Sequence, residues 1–462
     1  MRAASLGLSS ALLFVLAFPP FELAPLSWVA LVPLFVVVMR PETTEQDLAR
    51  ASGVFGFVTF GVCLRWFWAI FGAPAIVFWA MLAWLLARTL WLAWRIGKRW
   101  GDHALVIALP ILWTGLEHFR SECWALKFGW ITPGYAQASD LPIAQAADVG
   151  GVYGLTFVVV LASAIVAWGV ARRHFFALAA IPIAYAALFA YGTYRISTLH
   201  LEHDPRIRVA ALQYETNRFE DGEAMLAEVP VGTQLVVFPE VGAVFREGHL
   251  TYVDTRQDDL RARARAMDAV LVVGGERRAP GDEPLFDFYN TLAIVEPDGT
   301  VSNYTKAEPV PLFADGVPST DVHAYDTSLG RLGFAICYDF THPHVALALG
   351  GARAFVVASG DLASWSELQH REHALVTHLR AIEHRRWFVR ATSSGYSQIV
   401  DPAGRVVSEL GFEEVGVLSG EIGLRDGTTI YDLVGLWPAR LMMALWAIAI
   451  ARELVLWGRS RR

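Results

Sequence analysis

The sequence predicts two architectures in one chain, an α-helical membrane bundle of about eight spans and a layered α/β domain. Three observations lead there. At 54% hydrophobic and only 18% charged over 462 residues, the chain is too apolar for an ordinary soluble enzyme and must bury much of its surface in lipid. The apolar text is concentrated in residues 1–194 and 433–457. Between them, short β-type runs alternate with helical ones in a mixed, charged background. The expected division is a seven-span domain over 1–194, a globular domain over 195–432, and a closing helix with a tail over 433–462.

A hydrocarbon core about 30 Å thick asks for about 20 apolar residues per helix. Windows at 5–20, 24–39, 51–72, 74–94, 104–118, 151–170 and 175–193 precede the globular stretch, and 433–457 follows it. Residues 1–20 share Arg2 and an apolar run with signal peptides, but no small-x-small cleavage pattern follows, so the segment reads as a retained anchor. With alternating spans, Arg2, Arg40, Arg50, Arg95, Lys98, Arg99, Arg172, Arg173, Arg459, Arg461 and Arg462 fall on one face. The positive-inside rule makes that face cytoplasmic. The loop 119–150 and the globular domain then lie outside the cytoplasm, beyond the reach of ATP and acyl-CoA.

Within the globular stretch, RIRVAALQY, TQLVVFPE, AVLVVGGE, TLAIVEP, RLGFAICYD and RAFVVAS read as strands, and Asp298-Gly299 marks a hairpin turn. DDLRARARAMD and SELQHREHALVTHLRAIEHRR have helical periodicity, the second placing Leu368, Leu375, Leu379 and Ile382 on one side. Near-continuous apolar strands interleaved with helices indicate a layered α/β domain. A net charge of −7 without a basic stripe excludes nucleic-acid binding.

The chain has three cysteines, too scattered for a disulfide framework or a metal cluster. Cys337 is the one in the polar half. It ends an apolar strand, as Glu240 does in TQLVVFPE, and Lys306 follows the hairpin in NTLAIVEPDGTVSNYTK. Strand tips are where α/β proteins present catalytic groups. A thiol, a carboxylate to take its proton and an ammonium to face an oxyanion supply what acyl transfer needs without histidine.

These residues carry a resemblance. VVFPE, YTK and ICYD resemble the Glu-Lys-Cys triad of the nitrilase (carbon–nitrogen hydrolase) superfamily. LAFPPFELAPLSWVALVPLF, LEHFRSECWALKFGWITPGYAQ, VGGVYGLTFVVV and LRAIEHRRWFVRATSSGYSQIVDPAGR are similar to its membrane-embedded apolipoprotein N-acyltransferase family. The resemblance implies an α-β-β-α sandwich for the globular domain, placed on the periplasmic side of a bacterial inner membrane. It also implies acyl transfer through a Cys337 thioester, with a phospholipid as donor and the N-terminal diacylglyceryl-cysteine of an apolipoprotein as acceptor. Glu240 would be the general base and Lys306 the oxyanion partner, with no cofactor and no metal. Trp365 and Trp130 are candidate lid or acyl-chain residues. Three segments depart from the family pattern: KAEPVPLFADG has Ala314 where a second glutamate aligns and Asp315 beside it, Asp339 stands where the family often has glutamate, and SGDLASW replaces S-N-D-A-W-F-G.

Asp339, Asp315 and Tyr338 are candidates to support the triad. His370, His373 and His378 share one helix but lack the H-E-x-x-H spacing of a zinc site. Two other functions keep the same triad: a membrane-tethered amidase with water as acceptor, and an acyltransferase for a different amine. A scaffold that binds precursors without turnover is the competing class.

Overall fold

In the computed structural model, described residues are 2–215, 219–240, 257–279 and 288–460. The chain forms two compact units, one of residues 1–197 with 434–462 and one of residues 198–433.

The first unit is helical. Its longer helices are Arg2–Leu16, Glu45–Cys63, Pro74–Trp100, Asp102–His118, Ala147–Arg172, Ala180–Ser197 and Trp437–Ser460. Among the described residues, three segments are long and apolar enough to cross a membrane: Pro74–Trp100, Ala147–Arg172 and Phe175–His203. Two of the expected windows are broken rather than continuous. Residues 24–39 split into short helices ending with Val32–Met39, and 51–72 is interrupted at Leu64 and Arg65. Small residues let the helices approach closely; a Cβ on Gly7 would lie 2.2 Å from the Ala51 carbonyl oxygen.

The second unit is a sandwich of two six-stranded sheets. The first sheet takes its strands from β1 (Arg206–Gln213), β2 (Leu235–Val237), β3 (Val270–Arg278), β4 (Phe288–Val295) and β5 (Val301–Thr305), and β12 (Gly416–Gly423) closes its edge. The second is built from β6 (Tyr325–Thr327), β7 (Gly330–Ile336), β8 (Ala354–Ser359), β9 (Trp387–Thr392), β10 (Ser397–Val400) and β11 (Val406–Leu410). In sheet order they run β12-β1-β2-β3-β4-β5 and β11-β10-β9-β8-β7-β6. β1, β2 and β3 are parallel neighbours, as are β7, β8 and β9, and the remaining pairs are antiparallel.

The strands are apolar on both faces because both faces are covered. Val209, Val237, Val272 and Leu292 meet Leu332, Phe334, Val356 and Val389 between the sheets. On the outer face of the first sheet, Ala210, Val236 and Leu271 pack on Leu260 and Ala264 of the helix Gln257–Met267. Phe355 and Phe388 of the second sheet pack on Ala346 and on Ala381 of the helix Glu367–His384. The layering is therefore α-β-β-α. Each fully buried Val, Leu or Phe contributes about 1.5–3 kcal/mol, so the two sheets form a rigid base for whatever their ends carry.

Candidate active site

β2 and β5 point the same way, since β3 and β4 between them reverse direction twice. Their C-terminal ends deliver Glu240 and Lys306. In the other sheet the parallel strands β7 and β8 deliver Cys337 and the turn Gly360-Asp361. Glu240, Lys306 and Cys337 reach one cavity of about 390 Å³, whose walls also include Gly360, Asp315, Leu362 and Trp365.

Lys306 is 1% exposed and lies between two carboxylates, its Nζ 2.6 Å from Glu240 Oε1 and 2.7 Å from Asp315 Oδ2. Burial alone would push its ammonium toward the neutral form. Asp315 and Glu240 outweigh that and hold it well above the ordinary lysine range. Asn290, on β4, fixes both acids by donating from Nδ2 to Glu240 Oε1 and Asp315 Oδ1, each at 2.8 Å. Gly360 N–H donates to Glu240 Oε2 at 2.7 Å. A Cβ at that position would meet the same oxygen at 2.7 Å, so any larger residue would displace the Glu240 carboxylate.

Cys337 ends β7 with a φ of +48°, a left-handed conformation that costs a non-glycine residue energy and is held only where the surroundings impose it. Burial pushes its thiol well above the ordinary range, the Glu240 carboxylate adds to this, and Lys306 acts in the opposite sense. The resting group is a neutral thiol.

Asp339 joins the nucleophile to the lysine. It is fully buried and accepts from Tyr304 Oη at 2.7 Å and from the N–H groups of Ile336, Ala307 and Glu308 at 2.9, 3.0 and 2.8 Å. Burial raises its carboxyl pKa despite Lys306 and these donors. Asp315 also accepts from Val310 N–H at 2.7 Å, closing its own loop.

The candidates read from the sequence thus separate into groups. Glu240, Lys306, Cys337 and Asp315 share the cavity, and Asp339 braces it from behind. Trp365 lines the cavity, its ring 5.6 Å from that of Phe313. Tyr338 is buried against His342, with ring centroids 4.8 Å apart. Trp130 belongs to the helical unit, where its ring stacks on Phe128 at 5.4 Å.

Sequence reasoning missed Asn290 and Tyr304, and it read Arg390 as a partner of domain carboxylates without joining it to Asp361 and His373. The signal for Asn290 was present, an amide inside the apolar run FYNTLAIV. Asp361 is bound by Arg390, with Nη2 2.5 Å from Oδ2, and by His373, with Nδ1 2.9 Å from Oδ1. By ligand type, Cys337, Asp361 and His373, with ligand atoms within 4.8 Å of one another, suit a divalent cation. The Arg390 guanidinium already occupies the positive-charge role there, 2.9 Å from His373 Nδ1 as well.

A thiol on a strained strand end, beside a buried carboxylate and an ammonium, is a set of groups suited to cysteine-dependent acyl transfer. The sequence agrees, since the pattern described as "Carbon-nitrogen hydrolase" matches residues 208–430. A second pattern, "Apolipoprotein N-acyltransferase N-terminal domain", matches residues 10–165. Together the two patterns and the relatives that follow make the chain similar to apolipoprotein N-acyltransferases over nearly its whole length. It is 25% identical to the apolipoprotein N-acyltransferase of Geobacter metallireducens, over 92% of this chain and 90% of the relative. To those of Pseudomonas syringae pv. tomato and Pseudomonas aeruginosa it is 26% and 27% identical, over 97% of this chain and 96% of each relative. Among solved structures, a carbon–nitrogen hydrolase from Helicobacter pylori matches at a TM-score of 0.41 and 19% identity, over 51% of this chain and 94% of the other.

Proposed function

We propose that this acyltransferase moves an acyl chain from a phospholipid to the N-terminal amine of diacylated apolipoproteins through a thioester on Cys337. The observation that carries the reading is the cavity itself, where Cys337 shares its walls with Glu240 and with Lys306 clamped by two carboxylates. Cys337 Sγ attacks the donor ester carbonyl while its proton passes to Glu240, and Lys306 faces the oxyanion. The lysophospholipid oxygen leaves with that proton. The acceptor α-amine then attacks the thioester, gives its proton up through Glu240, and Cys337 returns as a thiol. A resting thiol raised by burial suits this order, because proton transfer accompanies attack instead of preceding it.

In this reading eight spans hold the chain in the bacterial inner membrane, with 1–194 and 433–462 as the membrane part and 195–432 as a periplasmic catalytic domain. The clustering of lysine and arginine between alternate windows supports that orientation. Membrane residence follows from the substrates. Each methylene moved into water costs about 0.8 kcal/mol, so a chain of about fifteen carbons costs about 12 kcal/mol to lift out of lipid.

The test is to incubate purified protein with phospholipid, search by mass spectrometry for an acylated Cys337 peptide, and then add a diacylated lipopeptide. The expected result is an adduct that disappears as the lipopeptide gains one acyl chain, and no adduct or transfer with Cys337→Ala. Ammonia release from a small amide without lysophospholipid, or full transfer by Cys337→Ala, overturns the proposal.

A further inference from the structure

Behind the nucleophile lies a buried cluster that the chemistry above does not use. The turn that leaves β8 carries Ser359, Gly360 and Asp361. Its glycine already serves the base, through the N–H donated to Glu240. Its serine stands beside the thiol: β7 and β8 run parallel with Ile336 opposite Ala358, which sets Ser359 next to Cys337 and makes it a neighbour that favours the thiolate, and the Ser359 hydroxyl donates to Asp361 Oδ1 at 2.9 Å. Asp361 is fixed in turn by Arg390 on β9 and His373 on the helix Glu367–His384. Ser359 and Asp361 are fully buried and Arg390 is 1% exposed, so packing and not solvent chooses these partners. The backbone is shaped around the carboxylate, since a Cβ on Gly395 would lie 2.5 Å from Asp361 Oδ2.

We propose that Ser359 is a catalytic hydroxyl that accepts from the Cys337 thiol and donates to its thiolate, and that Asp361 is the positioning residue that sets which of the two it does. This rests on Cys337 being the nucleophile. In the resting state the Ser359 O–H points to Asp361, which leaves an oxygen lone pair for the Cys337 S–H. As the S–H bond breaks and the proton passes to Glu240, the Ser359 O–H turns from Asp361 to the sulfur. Asp361 gives up one donor and keeps Arg390 and His373, so no buried carboxylate is left bare. Once the acyl carbon bonds to Sγ, the hydroxyl turns back. Ser359 gains and loses no proton in the cycle.

The charge environment is consistent with this division. Burial would raise the Asp361 carboxyl, but Arg390 and His373 outweigh it and hold it well below the usual carboxylate range. Asp361 therefore stays an acceptor throughout. Among the described residues, the titratable or charged groups around Cys337 and its serine are Glu240 and Lys306 from the first sheet, Asp339 on its own turn, Asp361 after β8, Arg390 on β9, and His370 and His373 on the helix.

The experiment uses the full chain and reads alkylation of Cys337 by iodoacetamide against pH, resolved by peptide mass spectrometry, so it does not depend on acyl transfer. Ser359→Ala is expected to shift the alkylation midpoint up by about one unit, a tenfold loss of thiolate. It should also slow thioester formation about tenfold with acceptor KM unchanged, and Ser359→Thr should restore both. Asp361→Asn is expected to shift the midpoint down, because it removes a negative charge that raises the thiol directly and also the acceptor that holds the hydroxyl, and only the second part should be lost in the Ser359→Ala background, leaving a smaller shift there. An unchanged profile in folded Ser359→Ala, or an Asp361→Asn shift of equal size with and without the serine, overturns the proposal. If Asp361→Asn does not fold, the Ser359→Ala and Ser359→Thr pair decides alone. Acyl transfer surviving in Cys337→Ala would remove the reaction scheme and leave this thiol chemistry separately testable.

Discussion

Two buried ion clusters flank Cys337, and they are built differently. On the side of the first sheet, one cation, Lys306, faces two anions, Glu240 and Asp315, on the wall of a cavity that also admits water-sized molecules, and the Asp315 side chain remains 14% exposed. On the side of the second sheet, Asp361 is sealed between Arg390 and His373 with no more than 4% exposure among them. The first has an unbalanced charge and access to ligands. The second is closed. Charge that must respond to a passing proton needs the first kind of setting, whereas charge that must only hold a shape is best kept in the second.

The comparison breaks most sharply at Lys306. Lys306→Met is expected to lower the rate of thioester formation by about 10²–10³, the cost of losing one oxyanion partner, while the thermal midpoint changes little, because the cavity gives the carboxylates left behind access to water. Single-turnover acylation with parallel calorimetry measures both. Arg390→Met should do the reverse in rank order, costing about 3–5 kcal/mol of stability by leaving Asp361 without its countercharge in a sealed site. Equal losses of thermal midpoint in the two variants would show that the clusters are not different in kind. The smallest effect is expected from Trp365→Ala, a change of a few-fold in KM for the acyl donor with stability within about 1 kcal/mol of the parent, read from donor titrations. The ring is half-buried at the cavity edge and lies tilted against Phe313.

The pH response separates the two sides as well. Since burial and Glu240 raise the Cys337 thiol, alkylation of the resting protein should increase only above the ordinary thiol range near 8.5. Lys306→Met removes the neighbour that opposes this and should move the rise further up. A midpoint at or below the ordinary range in the parent would contradict the buried, neutral thiol.

How much of this was legible in the sequence follows the range of the interactions involved. Glu240, Lys306 and Cys337 each stand at the end of a local hydrophobic pattern, and the six strands read from the text correspond to β1, β2, β3, β4, β7 and β8. β9 to β12 carried no separate reading: WFVRAT follows a helix without a turn signal, and VVSEL is largely exposed. The supporting contacts were invisible because they join distant text. Asn290 and Glu240 are 50 positions apart, and Arg390 and Asp361 are 29 apart. No periodicity announces such a pair. Asp315 was legible as a residue displaced by one from the family's glutamate, but only the folded loop shows its carboxylate reaching Lys306.

The Asp339 carboxylate accepts from donors in two separate stretches of chain: the segment 304–308, through the Tyr304 hydroxyl and the Ala307 and Glu308 backbone, and Ile336 just before the thiol. A side chain longer by one methylene would overshoot donors set for the shorter acid. The turn at 337–341 and the segment at 304–308 should therefore be inherited together, and a graft from a glutamate-bearing relative would have to carry both.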